Sequence, residues 1–379
     1  MTAPRTAAIA LLMCMQMLAH GQQNAEPSAK ANTPEPQDPV LVPRPVPKAA
    51  SSRPRMPEGR IKLDVVVSDS AGKPVTGLEP LDLKLMDNGQ PGKIVSFRAF
   101  GGDAAKPDPP VEVILVIDTA NLPFDQVAFT KQEITRFLGR NGGHLAQPVS
   151  IFEMTDAGIR VRPRPSTDGN VLVSVVQQIR GSIRTIDGAM GGEGLLERFQ
   201  RSAHQMENIA ENEALKPGRK LLIWVGPGWP MLTQTELGYY SAKDQQRLFD
   251  GIVELSTKLR EARMAVYSVA PASAGAGGSG STYVFAYQDY LKGVKSPKQA
   301  ASGDLALKVL AVQSGGRVLG PDNDLAAQID NCIGDANVFY RISFDPPHAD
   351  HADEYHDLKV VVDKPGMTAR TNTGYYNQP

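Results

Sequence analysis

The sequence predicts an α/β fold: a mainly parallel sheet with helices on both faces, set between strand-rich segments that form a β-sandwich-like unit. Three observations predict it. Val111–Asp118 (V-E-V-I-L-V-I-D) is a near-continuous apolar run ending in a carboxylate, the pattern of a strand buried on both faces. From residue 111 to residue 335, strand-like runs alternate with helical periodicity, which implies a parallel sheet with crossover helices. Up to residue 100 and from residue 337 onward, strand signals stand alone.

Residues 1–21 read as a secretory signal: Arg5 supplies the positive start, Ala7–Ala19 the apolar run, and Ala19-His20-Gly21 a small-x-small cleavage site. The run is too short to span a bilayer, so the mature chain is expected to carry no transmembrane segment and to reside in the periplasm or outside the cell. Residues 22–59 are rich in Pro, Ala and Ser and almost free of aromatics; such a segment cannot bury a core and reads as a spacer. Loss of Cys14 with the signal leaves Cys332, which cannot close an intrachain disulfide. Cys332 shares a helical stripe with Leu325 and Ile329, so packing is its expected role.

The elements follow in order. Ile61, Leu63, Val65 and Val67 lie on one side of a first strand, Leu81–Leu85 alternates, and Asp87-Asn88-Gly89 is a hairpin turn. Lys93–Phe100 is read as the returning strand, making residues 60–100 one antiparallel unit, with 101–110 as linker. After the strand at 111–118, a helix begins near Phe124. Val149–Met154 and Gly158–Val161 are strands, and Asp168 caps the next helix. A longer helix covers about Gly194–Glu213, Lys220–Val225 is a buried strand, and Ser241–Ala262 is a helix. Met264–Val269 is a strand, followed by a helix at Asp304–Gln313, a short strand at Arg317–Leu319 and a helix at Asp324–Ile333. Val338–Phe344, Tyr355–Asp363 and Thr368–Tyr376 are strands. Three strands alone bury little, so residues 60–100 and 337–379 are expected to combine into one discontinuous β-sandwich, with residues 111–335 inserted.

Several stretches, in this order, resemble the von Willebrand factor type A (VWA) superfamily, and more narrowly the VWFA-related domain family described from acidobacteria. They are Ile61–Asp69 with Gly72–Leu78, Asp87-Asn88-Gly89, Ile114–Asn121, Arg219–Trp224, Ala262–Val269, Ser314–Arg317 and the terminal Gly374-Tyr375-Tyr376. The resemblance implies a Rossmann-like domain that binds other proteins, often through a divalent cation, and implies no catalysis. Its metal site would use Asp-x-Ser-x-Ser on the first loop, a Thr on the second and an Asp on the third. Here the first loop is Asp118-Thr119-Ala120-Asn121-Leu122, so both hydroxyl positions are lost. The second offers Glu193, with Thr185 further back, and the third, Gly226-Pro227-Gly228, offers no acid. One carboxylate makes a poor Mg²⁺ site. Asp118 is therefore expected to cap the following helix or to bond loop amides. Asp118 with Asn121 would be the ligands if a cation bound.

Other features carry less. Gly275–Gly280 matches G-x-G-x-x-G, but it lies in an Ala/Gly/Ser run with no helix opening on its last glycine, and reads as a loop. His348, Asp350, His351 and Asp353, with His356 beyond, read as a solvated hairpin loop rather than a zinc site. Arg160, Arg162 and Arg164 read as a charged strand edge. Catalytic signatures such as G-x-S-x-G, a Walker loop, H-E-x-x-H and C-x-x-C are absent. A net charge of −1 over 379 residues supplies no field for nucleic acid. The expected function is non-enzymatic binding of a protein or surface polymer through loops at the carboxyl edge of the sheet, with Asp118, Asn121, Glu193 and Trp229 as contacts, although core or loop packing is the first expectation for Trp229 and the contact role requires it to be exposed. The alternative is a structural module whose sandwich makes the contacts.

Overall fold

The computed structural model describes residues 59–161, 164–180, 191–231, 241–272 and 286–379, with backbone alone at 191–193. The signal, nearly all of the spacer, Arg162, Thr185 and the Gly275–Gly280 run lie outside the described residues.

The first four strands are β1 (Ile61–Ser68), β2 (Leu83–Asp87), β3 (Gln90–Gly92) and β4 (Ser96–Phe100). The α/β segment then supplies β5 (Glu112–Asp118), α1 (Phe124–Leu138), β6 (His144–Thr155), β7 (Gly158–Val161), β8 (Ser166–Asp168), α2 (Gly169–Gln178), α3 (Gly191–Ala214) and β9 (Lys220–Val225). It continues with α4 (Ala242–Glu261), β10 (Met264–Val269), α5 (Leu307–Gln313), β11 (Arg317–Val318) and α6 (Leu325–Asn337). The chain closes with β12 (Phe339–Phe344), β13 (Glu354–Val362), β14 (Thr368–Arg370) and β15 (Gly374–Asn377).

The fold is mixed α/β. A seven-stranded sheet runs β11-β10-β9-β5-β6-β7, with β8 also paired to β6. Pairings among β11, β10, β9, β5 and β6 are parallel, while β7 and β8 run antiparallel to β6. Period-two alternation sends Val113, Leu115 and Ile117 toward α1, α2 and α6, and Ile114 and Val116 toward α3, α4 and α5. Burial on both faces explains why β5, β9 and β10 are almost wholly apolar. Helix starts follow local chemistry: the Asp168 carboxylate accepts the Asn170 and Val171 N–H groups, and Ser241 forms a reciprocal capping box with Asp244.

Two four-stranded antiparallel sheets take strands from both ends of the chain. One is ordered β14-β1-β12-β4 and the other β15-β13-β2-β3. Their facing sides share a core of Leu63, Val65, Leu83, Leu85, Ile342, Phe344, Leu358 and Tyr375. Charged pairs join these sheets to the α/β part. Arg263 binds both oxygens of Asp64 on β1 at 2.6–3.1 Å. Arg370 on β14 binds both oxygens of Asp335 on α6 at 3.0 and 2.9 Å, and the Tyr267 hydroxyl donates to the same carboxylate at 2.8 Å.

Three element expectations need correction. Lys93–Phe100 is not the hairpin return. The partner of β2 is the short β3, whose Pro91 has no N–H to donate, and β4 crosses to the other sheet beside β12. Thr368–Tyr376 is two strands in different sheets. Between them the Thr373 N–H is taken by the Gln313 carbonyl at 3.0 Å, and the chain changes sheets there. Asp304–Gln313 is a 3-10 turn over Ser302–Leu305, then α5, because Ala306 is extended (φ −63°, ψ 141°).

Candidate functional site

β5 lies between β6 on one side and β9 on the other. The chain therefore leaves β5 in one direction across the sheet and returns on its opposite side. Such a reversal opens a crevice at the carboxyl ends of the strands. The residues at that position are Asp118, ending β5, and Gly226, following β9. A Cβ at Gly226 would lie 2.7 Å from that of Asp118. Only glycine lets the two strand ends approach this closely.

Asp118 is 0% exposed. Its Oδ1 accepts the Asn121 backbone N–H at 2.9 Å and the Asn121 Nδ2 at 3.1 Å. Its Oδ2 accepts the Asn121 Nδ2 at 3.0 Å and the Trp224 Nε1 at 2.8 Å. These contacts occupy the roughly four lone-pair directions of a carboxylate. The Asn121 Nδ2 also donates to Ser202 Oγ at 3.2 Å. The Asn121 Oδ1 accepts Arg198 Nη2 at 2.9 Å, and the same nitrogen reaches the Ala120 carbonyl at 3.4 Å. Thr119 turns away, its hydroxyl donating to the Met154 carbonyl at 2.7 Å.

Burial pushes the Asp118 carboxyl above its ordinary range, against the opposing pull of the Trp224 and Asn121 hydrogen bonds and the Arg198 charge. Arg198, from α3, provides positive charge behind the asparagine. The cluster is a closed chain of donors running from guanidinium to amide to carboxylate.

A divalent cation of the kind the VWA resemblance implies does not fit this donor set. Mg²⁺ requires several free oxygen ligands in octahedral array, and both Asp118 oxygens are engaged by N–H groups. Ala120 and Leu122 are buried apolar side chains with no oxygen to add. Among the described residues, no three His, Cys, Asp or Glu side chains converge in a way that would hold a metal. His356 does not join His348 and His351: it is buried in β13, with Nδ1 2.8 Å from Asp87 Oδ1.

The structure brings Asp118 and Asn121 together, but as an interior pair. The expectation that they present polar groups to a partner is corrected: Asn121 is only 6% exposed, because its amide is spent on Asp118, Ser202 and Arg198. Trp229 takes the packing role expected of it and not the contact role. It is 5% exposed, donates from Nε1 to the Leu305 carbonyl at 3.0 Å, and meets Trp224 edge to face at 5.4 Å. Glu193 lies in the first turn of α3, and its side chain is outside the described residues.

Sequence reasoning missed Trp224, Arg198 and Ser202. Two signals existed. A tryptophan inside a strand buried on both faces needs an acceptor for its N–H. An arginine and a serine beside Leu195, Phe199 and Met206 interrupt an apolar stripe and suggest a buried polar partner. Phe124 was also missed: it opens α1 directly after this loop and is 81% exposed.

No family model matches the chain, and no curated protein matches it. Among solved structures, it is similar to the human COPII-coat protein Sec24c, at 9% identity and a TM-score of 0.32, over 71% of this chain and 44% of that one. It is also similar to the pilus adhesin SpaC from Lactobacillus rhamnosus GG in its open conformation, at 9% identity and a TM-score of 0.33, over 80% of this chain and 49% of that one. The chain thus spans under half the length of each. No described helix is long and apolar enough to cross a membrane.

Proposed function

We propose that this chain is a secreted, non-enzymatic binding module, with a VWA-like α/β domain inserted in a β-sandwich, that engages a protein or surface polymer without a metal ion. One observation carries this reading: the acid at the strand-order reversal is saturated by the chain's own donors, with Arg198 supplying positive charge nearby. A carboxylate held this way is available neither as a cation ligand nor as a base. Contact then falls to exposed groups around the locked loop, and among the described residues Phe124 is the large apolar one at that position. Aromatic anchors of this type dominate binding energy where they become buried.

The test uses labelled protein offered to the envelope fraction of its source cells, in EDTA and in Mg²⁺. Binding that survives EDTA and weakens about tenfold with Phe124→Ser supports the reading. Binding abolished by EDTA, or unchanged by Phe124→Ser, contradicts it. One observation favours a second reading, assembly through the sandwich. An apolar groove of about 570 Å³ opens along β3 and β4, with Leu81 and Val95 exposed beside it. Leu81→Lys with Val95→Lys abolishes assembly on that reading and leaves it intact on the first.

A further inference from the structure

A second cavity shares no lining residue with the Asp118 cluster. Its volume is about 960 Å³, and it lies between residues 289–304 and the edge formed by β13 and the β2–β3 turn. One wall carries Tyr290 and the other Tyr355. Tyr355 can stand there because residue 293 is glycine: a Cβ at that position would lie 1.8 Å from the ring.

Asp304 contributes to this cavity from the start of the α5 region and is itself only 5% exposed. Its Oδ2 accepts the Ala301 N–H at 2.8 Å, and among the described residues no lysine or arginine forms an ion pair with it. Burial raises its carboxyl to about 6. A buried acid without a cation is costly to keep, and this one opens onto solvent-accessible space. Asp289, Glu354 and Asp357 add negative charge around it, only partly offset by Lys292 and Lys295.

We propose that this cleft is a binding site for an organic cation, the ammonium or guanidinium group of a basic peptide side chain. Asp304 takes the charge, and the Tyr290 and Tyr355 rings flank the aliphatic stem. Other guests fit this lining less well. The acids do not converge closely enough to cage a metal. Their excess disfavours an anion, and a charged floor disfavours an apolar guest. Aromatic walls beside a carboxylate match the surface of an alkylammonium or guanidinium group.

The test uses the full chain and two blocked amino-acid amides, acetyl-lysine methylamide and its norleucine counterpart, followed by calorimetry. Saturable binding of the lysine probe, no binding of the norleucine probe, and affinity about tenfold weaker in Asp304→Asn are expected. Glu354→Gln, which keeps an acceptor oxygen for the Asp350 N–H, provides a second variant should Asp304→Asn fail to fold, and a severalfold loss is expected there. Equal binding of both probes, no binding of the lysine probe at about 10 mM, or affinity unchanged by the folded charge-removing variants overturns the proposal. Displacement of the probe by stoichiometric Mg²⁺ overturns it in favour of a metal site.

Discussion

Asn121→Ala probes the Asp118 cluster most sharply. It deletes the amide whose Nδ2 contacts both Asp118 oxygens at 3.1 and 3.0 Å, while retaining the backbone N–H at 2.9 Å. It also removes the acceptor that Arg198 meets at 2.9 Å. Hydrogen bonds to a charged group contribute about 1.5–3 kcal/mol each. The two Nδ2 contacts share one donor group, so the expected loss is about 2–4 kcal/mol, including the small cavity. The sign with pH is fixed by the direction of the Asp118 shift. Its folded carboxyl titrates above the unfolded one, so the unfolded chain ionises first as pH rises and stability falls across that window. Asn121→Ala raises the folded value further, so its cost near pH 8 is at least as large as near pH 5. Urea denaturation at both pH values measures this. A loss below about 0.5 kcal/mol at both would refute the view that Asn121 holds the acid.

Three further outcomes follow from the same structure. Arg370→Met removes the bidentate partner of the buried Asp335 carboxylate and leaves it the Tyr267 hydroxyl and the Arg317 guanidinium at 3.5 Å, and should cost about 1.5–3 kcal/mol in chemical denaturation; a cost near zero would show that this pair does not join the α/β part to β14. Asp304→Asn should stabilise the free protein above pH 7 by about 1–3 kcal/mol, because the folded carboxyl titrates near 6, above its ordinary value. That gain should vanish below about pH 3, where the acid is protonated in both states, and a pH-independent effect would contradict it. Cys332 is fully buried, and burial pushes its thiol up to about 12; its tryptic peptide should remain unalkylated after iodoacetamide treatment of native protein, whereas rapid labelling would place the thiol in solvent.

The parallel sheet was legible because burial on both faces writes itself into the sequence. The apolar runs at Lys220–Val225 and Met264–Val269 coincide with β9 and β10 to the residue. The Asn88-Gly89 signal likewise coincides with the β2–β3 turn, where both residues have positive φ. Sheet exchange was not legible. Thr368–Tyr376 keeps a strand-like composition throughout, and it is divided by long-range bonds at Thr373, whose N–H goes to the Gln313 carbonyl and whose carbonyl accepts the Leu358 N–H. At the candidate site, the loss of hydroxyls at Ala120 and Leu122 could be read directly. What replaced the cation could not, because Arg198 and Trp224 arrive from α3 and β9, 80 and 106 positions from Asp118. The Asp304 cleft was hidden for the same reason: its walls meet only after the chain ends fold back against residues 289–304.

The most direct measurement is titration of Mg²⁺, Mn²⁺ and Ca²⁺ into the wild-type protein and Asp118→Asn, followed by thermal unfolding. A ligand bound by the native state raises stability by mass action. The expected result is the same small, nonspecific response in both proteins up to millimolar cation. A saturable rise in the wild-type melting temperature that disappears in Asp118→Asn would mean that the acid releases its internal donors to hold an ion, and the metal-independent reading would be wrong.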